Sequence, residues 1–310
     1  MLIRRRHFRI WPVALVMVAC VAWTLWLFDW RAVARSMAHM HVGVFLAGAL
    51  PILLCVFAAR GWRWLVVLGL SPNISRFWQS LCANGAAAGL ASMTPFQIGE
   101  VVKLRTIPDH HGSAWRLGVS AFFVERALDL AGMLGSGLGG LAIHFKFEWL
   151  APVALSMPLL AGLSLCLLAG WTSLLPHRLQ PYAEVLHHWR RIIGASMLTM
   201  VIWLLYTALW WVAARSIGVY LEFNQVSILL GGVMLTVVVS MVPGGFGIAE
   251  LGSRGLMLWL GASRVDADAT AIALRLLTPL LALSGGICLL LLLRFRHAPV
   301  PPIAEDAEQG

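Results

Sequence analysis

The chain has 310 residues, 60% of them hydrophobic and 12% charged, a balance that excludes an ordinary soluble domain and suits a protein whose main solvent is lipid. At about twenty apolar residues per helical crossing there is room for roughly seven to nine passes and little else. The net charge of +9 lies in small basic groups at the ends of apolar segments, which points to topology signals and away from nucleic acid as a partner.

Met1 to Arg9 and the apolar run after them have the layout of a secretory signal, and Met17 to Cys20 faintly resembles a lipoprotein cleavage box. Apolar sequence nevertheless continues from Val21 to Phe28, with bulky Trp23 and Trp26 where a processed chain would turn polar. The expectation is an uncleaved first span. Continuous apolar runs predict six full spans, over residues 11–28, 42–59, 117–143, 150–170, 192–214 and 268–293. Two more regions, 78–107 and 226–262, are interrupted midway by Pro and Gly into pieces too short to cross, which predicts re-entrant hairpins or broken helices. The fold class is then an all-α polytopic membrane protein. Residues 1–297 form the membrane domain, and 298–310, rich in Pro and acids, form a disordered cytoplasmic tail.

If each hairpin returns to the side it entered, a cytoplasmic N-terminus places most of the 23 Lys and Arg on the cytoplasmic face. Arg4, Arg5, Arg6, Arg9, Arg60, Arg63, Arg76, Lys103, Arg105, Arg178 and Arg296 are among these, while Arg31, Arg35, Lys146, Arg215 and Arg264 fall outside. The location expected is the inner membrane, with both termini cytoplasmic. Trp30, Trp62, Trp64, Trp115, Trp149, Trp171 and Trp189 near predicted span ends read as interfacial anchors. Cys20, Cys55, Cys82, Cys166 and Cys288 lie in apolar stretches without a CxxC pair and read as buried small side chains, with no metal site or disulfide framework. His110, His111, His187 and His188 read as solvated loop residues.

Ser92 to Glu100 (SMTPFQIGE) and Ser240 to Glu250 (SMVPGGFGIAE) share Ser-Met-x-Pro-x-x-x-Gly with a Glu shortly after, and both copies fall where the hydrophobic pattern breaks. The coincidence favours an ancient duplication. Three full spans separate the two regions, and an odd number of crossings makes the repeats inverted. Broken helices in such repeats can line a cavity with unwound backbone. Pro95, Gly99, Pro243, Gly244, Gly245 and Gly247 are the expected breaks, with a tight interhelical turn as the plainer alternative.

Charges at membrane depth call for a partner or a function. Glu125 and Asp129 share a helix face with Arg126 beside it, and could form one interhelical cluster. Glu250 and Arg254 are spaced to neutralise each other. Arg275 has no acid one turn away and must find one elsewhere, with Glu100, Glu125, Asp129 and Glu250 as candidates. Glu100, Lys103 and Arg105 follow the first break, where the cations could receive a phosphate or serve only as topology signals.

These elements in order, with TPFQIGEVVKLR from Thr94, VERALDL from Val124, SMVPGGFGIAE and then Gly261, and LRLLTP from Leu274, resemble the lysylphosphatidylglycerol synthase transmembrane family over roughly residues 10–295. The resemblance implies a flippase-like membrane domain that moves a phospholipid or lipid-linked headgroup between leaflets. It carries over to Pro95, Gly99, Glu100, Glu125, Arg126, Asp129, Pro243, Gly244, Gly245, Gly247, Glu250 and Arg275. The soluble synthase half of fused members is expected to be absent, so lipid aminoacylation is not implied, and neither is a cofactor. Pro279 departs from the pattern and predicts a kink. Two rival readings stay open: a non-transporting membrane partner of a separate lipid synthase or glycosyltransferase, and a membrane transferase acting on lipid-linked sugar. No GxxxxGK[ST] loop occurs, so transport would draw on a gradient or a partner.

Overall fold

A computed structural model describes residues 11–71, 73–107, 114–147, 149–172 and 180–295. Arg4, Arg5, Arg6, Arg9, His110, His111, Arg178, Arg296 and the 298–310 tail lie outside the described residues. The chain is all-α: α1 (Trp11–Leu27), α2 (Trp30–Ala38), α3 (Val42–Leu68), α4 (Ile74–Ala91), a 3-10 segment (Pro95–Thr106), α5 (Ala114–His144), α6 (Leu150–Leu155) and α7 (Met157–Ala169). It continues through a second 3-10 segment (Gln180–His187), α8 (Trp189–Ser216), α9 (Phe223–Ser240), a 3-10 turn (Pro243–Gly245), α10 (Ile248–Trp259), α11 (Arg264–Arg275) and α12 (Leu277–Phe295). The outer surface is apolar, with Leu15, Trp26, Leu167, Leu283 and Leu290 among the exposed side chains. That inside-out distribution belongs in lipid.

Among the described residues, 4 helices are long and apolar enough to cross a membrane (α3, α8, α9 and the joined stretch Arg264–Arg294), or 5 if the pair α1 and α2, bent by 80°, is counted as one. The count of six full spans and two short-pieced hairpins is not reproduced, for three reasons. The 150–170 run is not one helix: it breaks at Ser156 between Pro152 and Pro158, the same interruption that marked the other two regions. Residues 117–143 do lie in one helix, the 31-residue α5, but its glycines and its charges at Glu125, Arg126 and Asp129 dilute its apolar character. The first half of the second broken region, α9, has 18 residues and is long enough to cross.

Small residues set the helix crossings. α4 runs antiparallel against α12, where a Cβ built on Gly89 would sit 2.8 Å from Gly285 Cα, and α5 runs antiparallel against α9, where a Cβ on Gly231 would sit 2.5 Å from Gly137 Cα. Lipid offers little hydrophobic drive for helix association, so close backbone approach is what packs these pairs. Gly231→Val and Gly285→Val are each expected to lower stability by about 1–3 kcal/mol through overpacking. Thermal unfolding in detergent reads this, and unchanged melting would show that the crossings are loose. At the centre, α3 and α8 pack with α9 through Leu53, Val56, Phe57, Leu229, Leu230 and Trp210.

Near Pro279 the helix is interrupted at Leu276, where α11 passes into α12, yet Arg264–Arg294 still counts as one span. A proline has no N–H for the carbonyl of Arg275, four residues back. Six of the seven expected interfacial tryptophans, Trp30, Trp62, Trp115, Trp149, Trp171 and Trp189, are exposed, but Trp64 is fully buried beside Lys103. Among the cysteines, Cys82 and Cys288 are buried, Cys20 and Cys166 are half-buried and Cys55 is exposed on α3, which corrects the expectation that all five are buried.

Candidate functional site

The first broken region does turn back. α4 ends at Ala91, and the 3-10 segment begins at Pro95 after a short extended link at Thr94. The Thr94 hydroxyl accepts from Gly99 N–H at 3.0 Å and donates to Leu90 O at 2.9 Å, tying the returning strand of chain to the helix it left. Gly99 packs directly on the backbone of Leu90 and Ala91, where no side chain fits. A 3-10 helix has three residues per turn, so Glu100 and Lys103 fall in one row, and that row faces inward. The side chains of Pro95 and Arg105 lie outside the described residues.

Glu100 is a hub. Arg60 on α3 donates from Nη2 to its Oε1 at 2.6 Å, Lys103 Nζ lies 2.9 Å from its Oε2, and Arg126 Nη2 lies 3.6 Å from the same oxygen. Arg60 also donates from Nη1 to the Tyr206 hydroxyl on α8 at 3.1 Å. A second set adjoins it. Arg63, one turn past Arg60, donates to Glu125 Oε1 at 3.1 Å, to Asp129 Oδ1 at 2.6 Å and to Thr199 on α8 at 2.9 Å. Lys103 Nζ also donates to Glu125 Oε2, and Arg126 Nη2 lies 2.9 Å from Asp129 Oδ2. The side chains of Arg63, Lys103 and Glu125 are 0% exposed, while those of Arg126 and Asp129 are 27% and 20% exposed and form the open side of the cluster.

The second break is built from backbone. Met241, Gly244, Gly245 and Gly247 all have positive φ, a conformation glycine adopts without the Cβ clash that penalises other residues. This turns the Gly244 and Gly245 carbonyls outward from any helix, and Arg275 Nη1 and Nη2 donate to them at 2.8 and 3.2 Å. Arg275 Nε donates to Glu250 Oε1. The other carboxylate oxygen of Glu250 accepts from Gly247 N–H at 2.9 Å at the start of α10, where a helix N-terminus favours negative charge. Trp210, Met234, Ser253 and Thr278 join Glu250 and Arg275 around a cavity of about 90 Å³, enough for a few water molecules.

Arg275 thus takes Glu250 from the four candidate acids. Arg254 does not pair with Glu250, as its spacing suggested. It donates to Asp268 on α11 at 2.6 Å, and the second oxygen of Asp268 accepts from Asp29 N–H at 3.1 Å at the bend between α1 and α2. Asp268 takes Arg254 because α10 and α11 form a tight antiparallel pair, whereas Glu250 is already held by Arg275 and Gly247.

The two breaks meet each other: a Cβ built on Gly244 would sit 2.8 Å from the carbonyl oxygen of Ser92, so the paired Ser-Met-x-Pro motifs touch. Sequence reasoning missed Arg60 and Arg63, placing both among topology signals at a span end. The signal was present: Leu65 to Leu70 (LVVLGL) is apolar, so α3 continues past both arginines and carries them inside. Among the described residues, no group of three or more His, Cys, Asp or Glu is placed to hold a metal ion. His187 lies 3.2 Å from the Thr172 hydroxyl.

A helical bundle with an apolar exterior, several apolar spans and ion pairs gathered at two interrupted segments defines a polytopic α-helical membrane protein. The chain matches the sequence model of the lysylphosphatidylglycerol synthase TM region over residues 9–286 and belongs to that family, which makes it a flippase-like membrane protein. No curated protein and no solved structure matches the chain.

Proposed function

We propose that the protein moves the polar headgroup of a phospholipid or lipid-linked molecule between the leaflets of the inner membrane, and that it does so without covalent chemistry. The observation that carries this reading is the convergence of two broken segments, one beside a network of seven charges and the other beside the Glu250–Arg275 pair, beneath a lipid-facing apolar surface. Charged groups are costly in hydrocarbon, and their retention in a wetted interior marks a polar path.

The two halves act as an inverted repeat in this reading. α4 meets α12 as α9 meets α5, each through a Gly–Gly approach. In each half the motif glutamate meets an arginine from a later helix, Glu100 with Arg126 and Glu250 with Arg275. Glu100, Lys103, Arg126, Asp129, Glu250 and Arg275 are the residues assigned to the path, with Glu125 and Arg254 holding its walls. Pro95, Gly99, Pro243, Gly244, Gly245 and Gly247 are the breaks that let it change shape, and the role expected of Arg105 falls on a side chain outside the described residues. A separate lipid synthase or glycosyltransferase is the partner such a protein would serve.

Reconstitution tests this directly. Vesicles containing the protein and a fluorescent phosphatidylglycerol in both leaflets should lose more signal to an impermeant quencher than the outer-leaflet share. Loss confined to the outer leaflet would favour a non-transporting assembly partner. Formation of a new covalent product from a lipid-linked sugar donor would instead establish a transferase.

A further inference from the structure

Away from the broken segments, α8 carries a stripe of side chains with a charged end. Met197, Val201, Leu204, Ala208, Trp211 and Arg215 recur at spacings of three and four, so they share one helix face over about 27 Å. Met197, Val201 and Leu204 are exposed apolar side chains. The stripe ends in a cavity of about 720 Å³, where Ala208, Trp211 and Arg215 face Tyr220, Glu222 and Phe223 at the entry to α9. None of these residues lines the cavity of Glu250 and Arg275. Two rings position the cation: the Arg215 guanidinium carbon lies 4.0 Å from the Trp211 ring centre and 5.4 Å from that of Tyr220. Trp211 Nε1 donates to Leu221 O at 3.1 Å, which fixes its ring against the turn. Contact with a ring engages the face of a guanidinium and leaves its N–H groups able to donate. The Glu222 carboxylate caps the start of α9 on the same cavity, and it forms no ion pair with Arg215. One cation and one carboxylate thus face a shared space without neutralising each other.

We infer that this cavity seats a zwitterionic phospholipid whose headgroup carries a primary ammonium, with the phosphate on Arg215, the ammonium on Glu222 and an acyl chain along the α8 stripe. Guanidinium groups suit phosphate because they present paired donors. A carboxylate accepts hydrogen bonds from a primary ammonium, and a quaternary ammonium has no N–H to give. A glycerol headgroup brings no cation to Glu222 at all. Headgroup chemistry therefore sets the choice, and the lipid held here is a resident of the α8 surface rather than cargo between the broken segments. Its binding does not depend on whether the protein moves lipid.

The test is native mass spectrometry of the full chain in a neutral detergent, freed of co-purified lipid and titrated with dioleoyl phosphatidylethanolamine, phosphatidylcholine or phosphatidylglycerol. Phosphatidylethanolamine should bind saturably and at least about fivefold more tightly than either of the others. Arg215→Gln should weaken phosphatidylethanolamine and phosphatidylglycerol alike, by at least about tenfold. Glu222→Gln, which keeps an acceptor for the helix cap, should remove the preference for phosphatidylethanolamine and leave phosphatidylglycerol no weaker. Tyr220→Ala should weaken binding about two- to fivefold by freeing the guanidinium. Arg190→Gln, which removes a cation lying over a single ring, Trp189, at the other end of α8, should change nothing. Arg215, Tyr220 and Glu222 are all exposed, so their replacement spares the core. Should Arg215→Gln nevertheless fail to fold, the loss of preference in Glu222→Gln carries the test. Equal affinity for the three lipids, or a preference for phosphatidylethanolamine that survives both Arg215→Gln and Glu222→Gln, would overturn the inference. Free phosphoethanolamine displacing the lipid at equal concentration would overturn the part given to the stripe.

Discussion

Replacing Arg63 by methionine is expected to cost about 3–5 kcal/mol of folding stability, because it removes one partner of a buried ion network and strands the other. Arg63 is fully enclosed and ties three elements together: its own helix α3, α5 through Glu125 and Asp129, and α8 through Thr199. Methionine keeps the apolar stem and loses the guanidinium, which makes all of these contacts, so the loss is mainly electrostatic. Glu125 would still have Lys103 and Asp129 would still have Arg126, but neither cation can reach the space that the guanidinium fills. Thermal melting in detergent reads the loss. Adding Glu125→Gln to Arg63→Met should return part of it, since the carboxylate oxygen that accepted from Arg63 then no longer carries a charge facing an apolar side chain. A melting temperature unchanged in Arg63→Met would show that the network contributes nothing to the fold.

The second large effect belongs to Arg275. Arg275→Ala uncovers three acceptors at once: Glu250 and the carbonyls of Gly244 and Gly245. Those carbonyls point away from any helix because the glycines hold positive φ, so no backbone donor replaces the guanidinium. Glu250→Gln is milder in packing but removes the charge that fixes Arg275 beside Phe246, whose ring lies 4.3 Å from the guanidinium carbon. Both proteins, where they remain folded and monodisperse, are expected to move fluorescent lipid at least about tenfold more slowly than the wild type, in line with the loss of one member of a buried charge pair. Full transport in both would detach the second break from the function.

Much of this architecture was legible in the residues, and for physical reasons. Pro lacks a backbone donor and Gly tolerates positive φ, so where the two cluster in an apolar stretch a break is favoured, and the turns after Ala91 and Ser240 followed from local sequence. The 150–170 run, with Pro152 and Pro158 six residues apart, carries a similar signal and breaks between them at Ser156, whereas the lone Pro51 leaves α3 continuous. Arg275 needed a distant acid because none lay within a turn, and Glu250 answered it. What could not be read was which charges share a pocket. Arg60 and Arg63 sit beside Trp62 and Trp64, and that Arg-Trp pattern is also how a span end looks at the headgroup level. Only the continuation of α3 to Leu68 tells the two apart. The choice of Asp268 by Arg254 over Glu250, one turn away, likewise depends on how α10 and α11 pack, which spacing along one helix does not determine.

The central claim is that water reaches a polar pocket between the broken segments while the surrounding helix surface faces lipid. A single cysteine placed at Thr278, in a background lacking the five native cysteines, measures this most directly. Thr278 lines the cavity beside Glu250 and Arg275, whereas Leu283, less than two turns along the same helix, is 70% exposed on the apolar exterior. In membranes, Thr278→Cys should react with a small water-soluble methanethiosulfonate and Leu283→Cys should not. If both stay inert, the pocket is dry and the account of lipid movement built on it fails.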